Sequence, residues 1–246
     1  MSNEFSELFA VDVCLGAQIL KAFDGLSGGP REFQEFLSRP PDKKVMRHDA
    51  DTVQAFMANY IADAKAATTN TVGGHRVNVP LLPVCWYGRK PGLASSDVHI
   101  EGPYNKWVVV WSDPTTGEDP DFFANMRMLS VALTYKLAFV ARDKPSLDKL
   151  LLAWFVFLAD TRARNHKFAV PYLVRTADGQ SGVVASLPPA EIRDPKSCAF
   201  EDESGDGFFA AATNLEVHAP VLVGQEVDVV DPIRLQWAIE VCHGCR

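Results

Sequence analysis

From Leu129 to Phe139 the chain alternates apolar with small or polar residues without a break. Leu129, Val131, Leu133, Tyr135, Leu137 and Phe139 fall on one side, and Ser130, Ala132, Thr134, Lys136 and Ala138 on the other. Successive side chains of a strand point to opposite faces, so this period of two predicts a strand with one face in a core. Asp143 to Ser146 supplies a turn and a helix start, with Ser146 as the expected N-cap. Over 147–163, Leu147, Leu150, Leu151, Trp154, Phe155 and Leu158 form one stripe that Val156 and Phe157 widen. That width predicts a helix buried over much of its circumference. Asp148 near its start and Arg162 and Arg164 near its end suit the helix dipole. Phe168, Val170, Tyr172 and Val174 then alternate again. A strand–helix–strand block at 129–175 is therefore expected at the centre of an α+β core.

The flanks add to it. Leu8, Val11, Leu15, Ile19, Ala22 and Phe23 recur at spacings of three and four, predicting a helix over 5–24 that Gly25–Pro30 stops. Residues 31–66 read as two short helices broken at Pro40-Pro41, the second over about 50–66 with Asp49 or Asp51 as cap. Val77, Val79, Leu81 and Val84 suggest a strand that Pro80 and Pro83 demote to an edge or a bulge. Gly88–Pro103 and 113–120 read as loops, with a short strand at Trp107–Trp111 between them. Later strands are expected at 183–187, at Phe209–Val217 and at Ile233–Val241, with a polar loop over 190–206. The expected fold class is α+β: a mostly antiparallel sheet packed against one long helix, with an N-terminal helical elaboration. One domain spans 1–246, its elaboration at 1–120 and its sheet-plus-helix core at 121–246.

Composition limits the function. Hydrophobic residues make up 47%, enough for a sizeable core. The net charge of −7 argues against wrapping nucleic acid, which needs lysine and arginine against phosphates. It suits a surface that DNA slides past, and equally one that only keeps the protein soluble. The N-terminus lacks a positive n-region, so no signal peptide is read and synthesis in the cytoplasm is expected. The most apolar run, Leu150–Ala159, is too short for a bilayer of ~30 Å.

Few residues carry chemistry. Cys242-His-Gly-Cys245 is a CxxC after the last expected strand, with no helix to open. It offers two or three zinc ligands with His243, and Cys198 or His218 would have to complete the set. An exposed tail and a disulfide between neighbouring subunits through Cys242 and Cys245 are the other readings. Cys14 and Cys85 complete the five scattered cysteines. HExxH and the phosphate-loop motif are missing, and the acidic run Glu201–Asp206 lacks the spacing of a calcium loop. No catalytic residue, metal or cofactor is expected.

The segment Leu133-Thr-Tyr-Lys-Leu-Ala-Phe-Val-Ala-Arg-Asp143, followed by Leu147-Asp-Lys-Leu-Leu-Leu-Ala-Trp-Phe155, resembles the strand and following helix of contractile-tail bacteriophage tail terminators, also called tail sheath stabilisers or neck proteins. Arg76-Val-Asn-Val-Pro80 stands where that family has an extended segment after its first helix, and Ile233–Ile239 is similar to its closing strand. The likeness runs over about half the chain, in order, and 190–230 and the CxxC have no counterpart in it. The resemblance implies a virion subunit, made in the host cytoplasm, that forms a hexameric ring at the tail neck. Its partners would be tail tube, tail sheath and head–tail connector, with DNA passing through unbound and no membrane involved. It implies neither catalysis nor cofactor, and the loops at 88–105 and 190–206 become the expected contact arms. Two other readings stay open: another phage structural subunit, of baseplate or head completion, and a small-molecule enzyme or binding module built near His75, Arg76, His99, Trp86 and Tyr87.

Overall fold

The computed structural model describes residues 7–69, 81–92, 94–95, 105–110, 122–160, 163–175, 181–185, 189–194 and 199–224. In chain order these form α1 (Glu7–Lys21), α2 (Arg31–Ser38), α3 (Pro41–Lys44), β1 (Val45–Arg47), α4 (Val53–Thr69), β2 (Val84–Arg89), β3 (Ala94–Ser95), β4 (Asn105–Val110), β5 (Phe122–Ala141), α5 (Lys144–Ala159), β6 (Lys167–Phe168), β7 (Pro171–Arg175), β8 (Ser181–Ala185), β9 (Ala190–Ile192), β10 (Glu201–Asp202) and β11 (Phe209–Gly224). The fold is α+β around a curled sheet.

The sheet is mixed. Its main path runs β1-β2-β5-β11-β9-β6, with β3 and β4 also on β5 and β10 on β11. The β1–β2 pair is parallel, whereas β5 pairs antiparallel with β2, β3, β4 and β11. The strand expected at 129–139 is twenty residues long, and β11 pairs with it at sixteen positions, from Phe209↔Ala141 to Gly224↔Met126. The alternation expected over 168–174 divides at its middle. Lys167–Phe168 joins β9 in the main sheet, and Pro171–Arg175 pairs with β8 as a separate two-stranded ribbon.

Alternation along β5 sorts the helices onto two faces. Leu133, Tyr135, Leu137, Phe139 and Ala141, with Cys85, Tyr87, Leu215 and Val217, pack under α1, α2 and α5. Ala138 and Val140, with Val84, Trp86, Ala210 and Ala212, pack under Val53, Phe56 and Met57 of α4. The expectation of one long helix is thus replaced by three of similar length, with 15, 17 and 16 residues for α1, α4 and α5, on both sides of the sheet. The α4 face combines Trp86, Val84 and Val140 with three alanines, Ala138, Ala210 and Ala212. Those alanines carry too little apolar weight to mark the face as buried in sequence.

Other expectations change for local reasons. Of the strand suggested by Val77, Val79, Leu81 and Val84, residues 77–80 lie outside the described residues; Pro83 directly precedes β2, which begins at Val84 and lies between β1 and β5. β2 continues through Gly88 and Arg89, β3 follows, and β9 and β10 fall inside the stretch 190–206, so neither stretch is all loop. α5 is less buried than its width suggested: Leu147, Leu150, Trp154 and Leu158 are buried, but Leu152, Phe155 and Val156 are exposed. The cap of α4 is Thr52, whose Oγ1 accepts from Ala55 N at 3.1 Å, rather than Asp49 or Asp51. The cap of α5 is Asp143, not Ser146: its carboxylate accepts from Ser146 N at 2.8 Å and from Ser146 Oγ at 2.9 Å. Arg164 lies past the helix end with φ 51°. The strand expected at 233–241 lies outside the described residues.

The α5 cap also faces a second carboxyl. Burial, then a hydrogen bond and charge contact with Asp143, raise Glu32 above its ordinary value. At Asp143 burial opposes ionisation, but the bonds from Ser146 and Glu32 outweigh it and lower the group. The signs are opposite. The Asp143 contribution is present above the unfolded carboxylate value and fades as pH falls through its depressed folded one. The Glu32 contribution is fully present below its unfolded value and is lost as pH rises through its raised one. Glu32→Gln should therefore raise the melting temperature at pH 7 and leave it unchanged near pH 3, in paired thermal melts. Equal shifts at both pH values would dismiss the repulsion between the two carboxylates.

Candidate functional site

The chemically unusual feature is an acid inside the core. Asp12 occupies the apolar stripe of α1, four residues after Leu8 and three before Leu15, and is wholly buried. An unpaired carboxylate there would be far too costly to keep. Its partners come from three strands. Arg47 of β1 places Nη2 3.0 Å from Oδ2, Arg89 of β2 places Nε 3.2 Å from Oδ1, and Tyr135 of β5 donates its hydroxyl to Oδ1 at 2.6 Å. Tyr87 donates to the Asp12 backbone carbonyl at 3.0 Å. The parallel β1–β2 pairing sets Arg47 opposite Tyr87, which brings the two arginines to one end of the sheet over the helix.

Neither arginine closes a well-angled hydrogen bond on the carboxylate, since Asp12 Oδ2 and Arg89 Nε both lack a directed partner. The contacts are charge contacts at short range, not a bidentate fork. Arg47 also stacks its guanidinium over Phe9, 4.9 Å from the ring centre. Burial pushes the Tyr87 hydroxyl up to about 12, Arg47 opposing and Asp12 adding. Burial and then the bond to Asp12 push Tyr135 further in the same direction. Both phenols therefore stay protonated at neutral pH, and each donates its hydroxyl to Asp12.

Arg47 and Arg89 also line a polar cleft of about 390 Å³, together with Lys90, Lys136, Asp49 and Asp51 among others. One wall is bare backbone, because Gly88 lies against the His48 carbonyl so closely that a Cβ would collide with it. Lys136 is engaged, 2.6 Å from Glu203 Oε1 and 3.1 Å from the Asp51 carbonyl. Glu203 also accepts from Val53 N at 3.2 Å, which fixes the start of α4.

The residues singled out from sequence fall elsewhere. Cys242 and Cys245, with Cys198, His243, His75, Arg76 and His99, lie outside the described residues. His218 is buried on β11 and contacts Glu216 Oε1 at 2.5 Å, with Arg193 Nη1 3.4 Å from its ring nitrogen. Among the described residues no cluster of three or more His, Cys, Asp or Glu is placed to hold a metal. Asp202 of the acidic run accepts from Ser204 N at 2.9 Å, a local turn bond. Trp86 and Tyr87 are buried, with Tyr87 in the Asp12 cluster. The cluster itself was missed from sequence, although Asp12 on an apolar stripe marked its first member.

No helix of the described residues is long and apolar enough to cross a membrane. No protein-family model matches the chain, and no curated protein matches it.

Proposed function

We propose that the chain is a structural subunit that assembles into a ring, as the tail terminators of contractile-tailed phages do, capping tail tube and sheath beneath the head–tail connector. The observation that carries this reading is the β5–β11 ribbon. Twenty residues of strand run ~66 Å at about 3.3 Å each, whereas the sixteen residues of α5 cover only ~24 Å. The ribbon therefore outruns its helix by more than half its length, with β4 added along 122–127. A long paired arm beyond a small core suits contact between neighbouring copies. β5 runs into α5 with only Arg142 and Asp143 between them, in the order of the resembling segment, and α1 stands where that family begins with a helix. In this reading the mostly antiparallel sheet with α5 is the scaffold, and DNA passes an acidic lumen without being bound.

Purified full-length protein should show six-fold rings by negative-stain electron microscopy and a hexamer mass by light scattering. A species that stays monomeric at high concentration, both alone and with tail-tube protein, would remove this reading. A second reading, a small-molecule binding module, is favoured by one observation, the polar cleft lined by Arg47, Arg89 and Lys90.

A further inference from the structure

We propose that the cleft lined by Arg47, Arg89 and Lys90 is a binding site for a small oxyanion, a phosphate or carboxylate group held by these three residues. The inference does not depend on ring formation. It rests on how the cations are used. A guanidinium has five N–H donors. Arg47 turns Nη2 and Arg89 turns Nε toward Asp12, and among the described residues their other donors have no protein acceptor. The side chains of Arg47 and Arg89 are 34% and 26% exposed, and both residues line the cleft. Asp12 cancels one of the two charges and holds both side chains in place. The pair keeps a net positive charge on a preorganised base, which is how planar forks select carboxylate or phosphate oxygens.

Lys90 adds a third cation. Its backbone N–H is fixed on the Thr134 carbonyl at 2.8 Å, while its side chain is exposed at the rim. Lys136 does not take part, being held by Glu203 and Asp51. Asp49 and Asp51 stand exposed at the lip and oppose an anion, an effect that solvent screens. The volume, about 390 Å³, falls within the range of small-molecule sites. With Asp12 cancelling one of the three cations, two positive charges face two exposed, screened acids, and this balance predicts weak but saturable binding.

The test is calorimetric titration of the full chain with inorganic phosphate and, separately, with acetate, at ionic strength held constant with chloride. Saturation is expected with a Kd on the order of 1 mM, and the anion that saturates at lower concentration identifies the group. Lys90→Glu should weaken binding by at least roughly tenfold, since it reverses a charge in contact with the anion. Asp49→Asn with Asp51→Asn should tighten it. Lys90 is exposed, so its variant should melt with the parent. Heats that never saturate with either anion, or affinity unchanged by Lys90→Glu, would overturn the proposal.

Discussion

Asp12→Ala is expected to cost about 3–5 kcal/mol of stability, the range for removing one partner of a buried ion pair. In a urea titration the midpoint should fall steeply. Two losses combine. Arg47 and Arg89 keep their charges with no counter-ion, but both reach solvent in part, which places their share at the lower end of the range. Tyr135 has no such escape, because it is wholly buried and its hydroxyl loses its acceptor. An orphaned buried donor costs about 1–3 kcal/mol by itself. Asp12→Asn should fall between parent and alanine. Its carbonyl can still accept from Tyr135, while its amide turns donors toward the guanidinium groups. A combination of Asp12→Leu, Arg47→Met and Arg89→Met should recover much of the stability, since an apolar cluster of similar volume avoids the desolvation of charge. That variant should bind no phosphate, which separates holding the fold from serving the cleft. An Asp12→Ala midpoint equal to that of the parent would show that the carboxylate does not clamp α1 to the sheet.

The same cluster shows what a sequence reveals and what it hides. Period two from Leu129 to Phe139 marked β5, and spacings of three and four marked α1 and α5, because in those elements one apolar face meets the core. The second face of the sheet was not legible. Three of its positions are Ala138, Ala210 and Ala212, buried beneath α4 yet too small to read as apolar. β1 is three residues long and β6 and β10 two each, so none of the three shows a period. They exist because a neighbouring strand offers hydrogen bonds. The cap of α5 was misplaced by three residues, since Asp143 and Ser146 are both good caps and only geometry shows which accepts. The cleft needs Arg47, Arg89 and Lys136 brought together from distant parts of the chain by β1, β2 and β5, and spacing carries no trace of that. Its one legible sign was a charge on the inward stripe of α1.

Trp86→Ala is expected to cost about 3–5 kcal/mol, the range for truncating a large aromatic in a core. Trp86 is wholly buried, stacks on Phe56 of α4 at 5.2 Å with the rings 7° from parallel, and donates Nε1–H to the His48 carbonyl at 2.9 Å. It therefore supports α4 and the turn at 48–52 that walls the cleft. Trp86→Phe separates these roles. It keeps a ring against Phe56 but leaves the His48 carbonyl without the indole, which should cost about 1–3 kcal/mol. The loss should also be local. The opposite face of the sheet, under α1 and α5, keeps its own core, and β5–β11 keeps its sixteen paired positions. Hydrogen exchange on Trp86→Ala should show amides of 53–69 losing protection before those of 131–141, as expected when a helix opens from a sheet that persists. Uniform loss across both segments would mean that the two faces unfold as one unit. Protection retained at 53–69 would mean that the alanine-lined face holds α4 without the tryptophan.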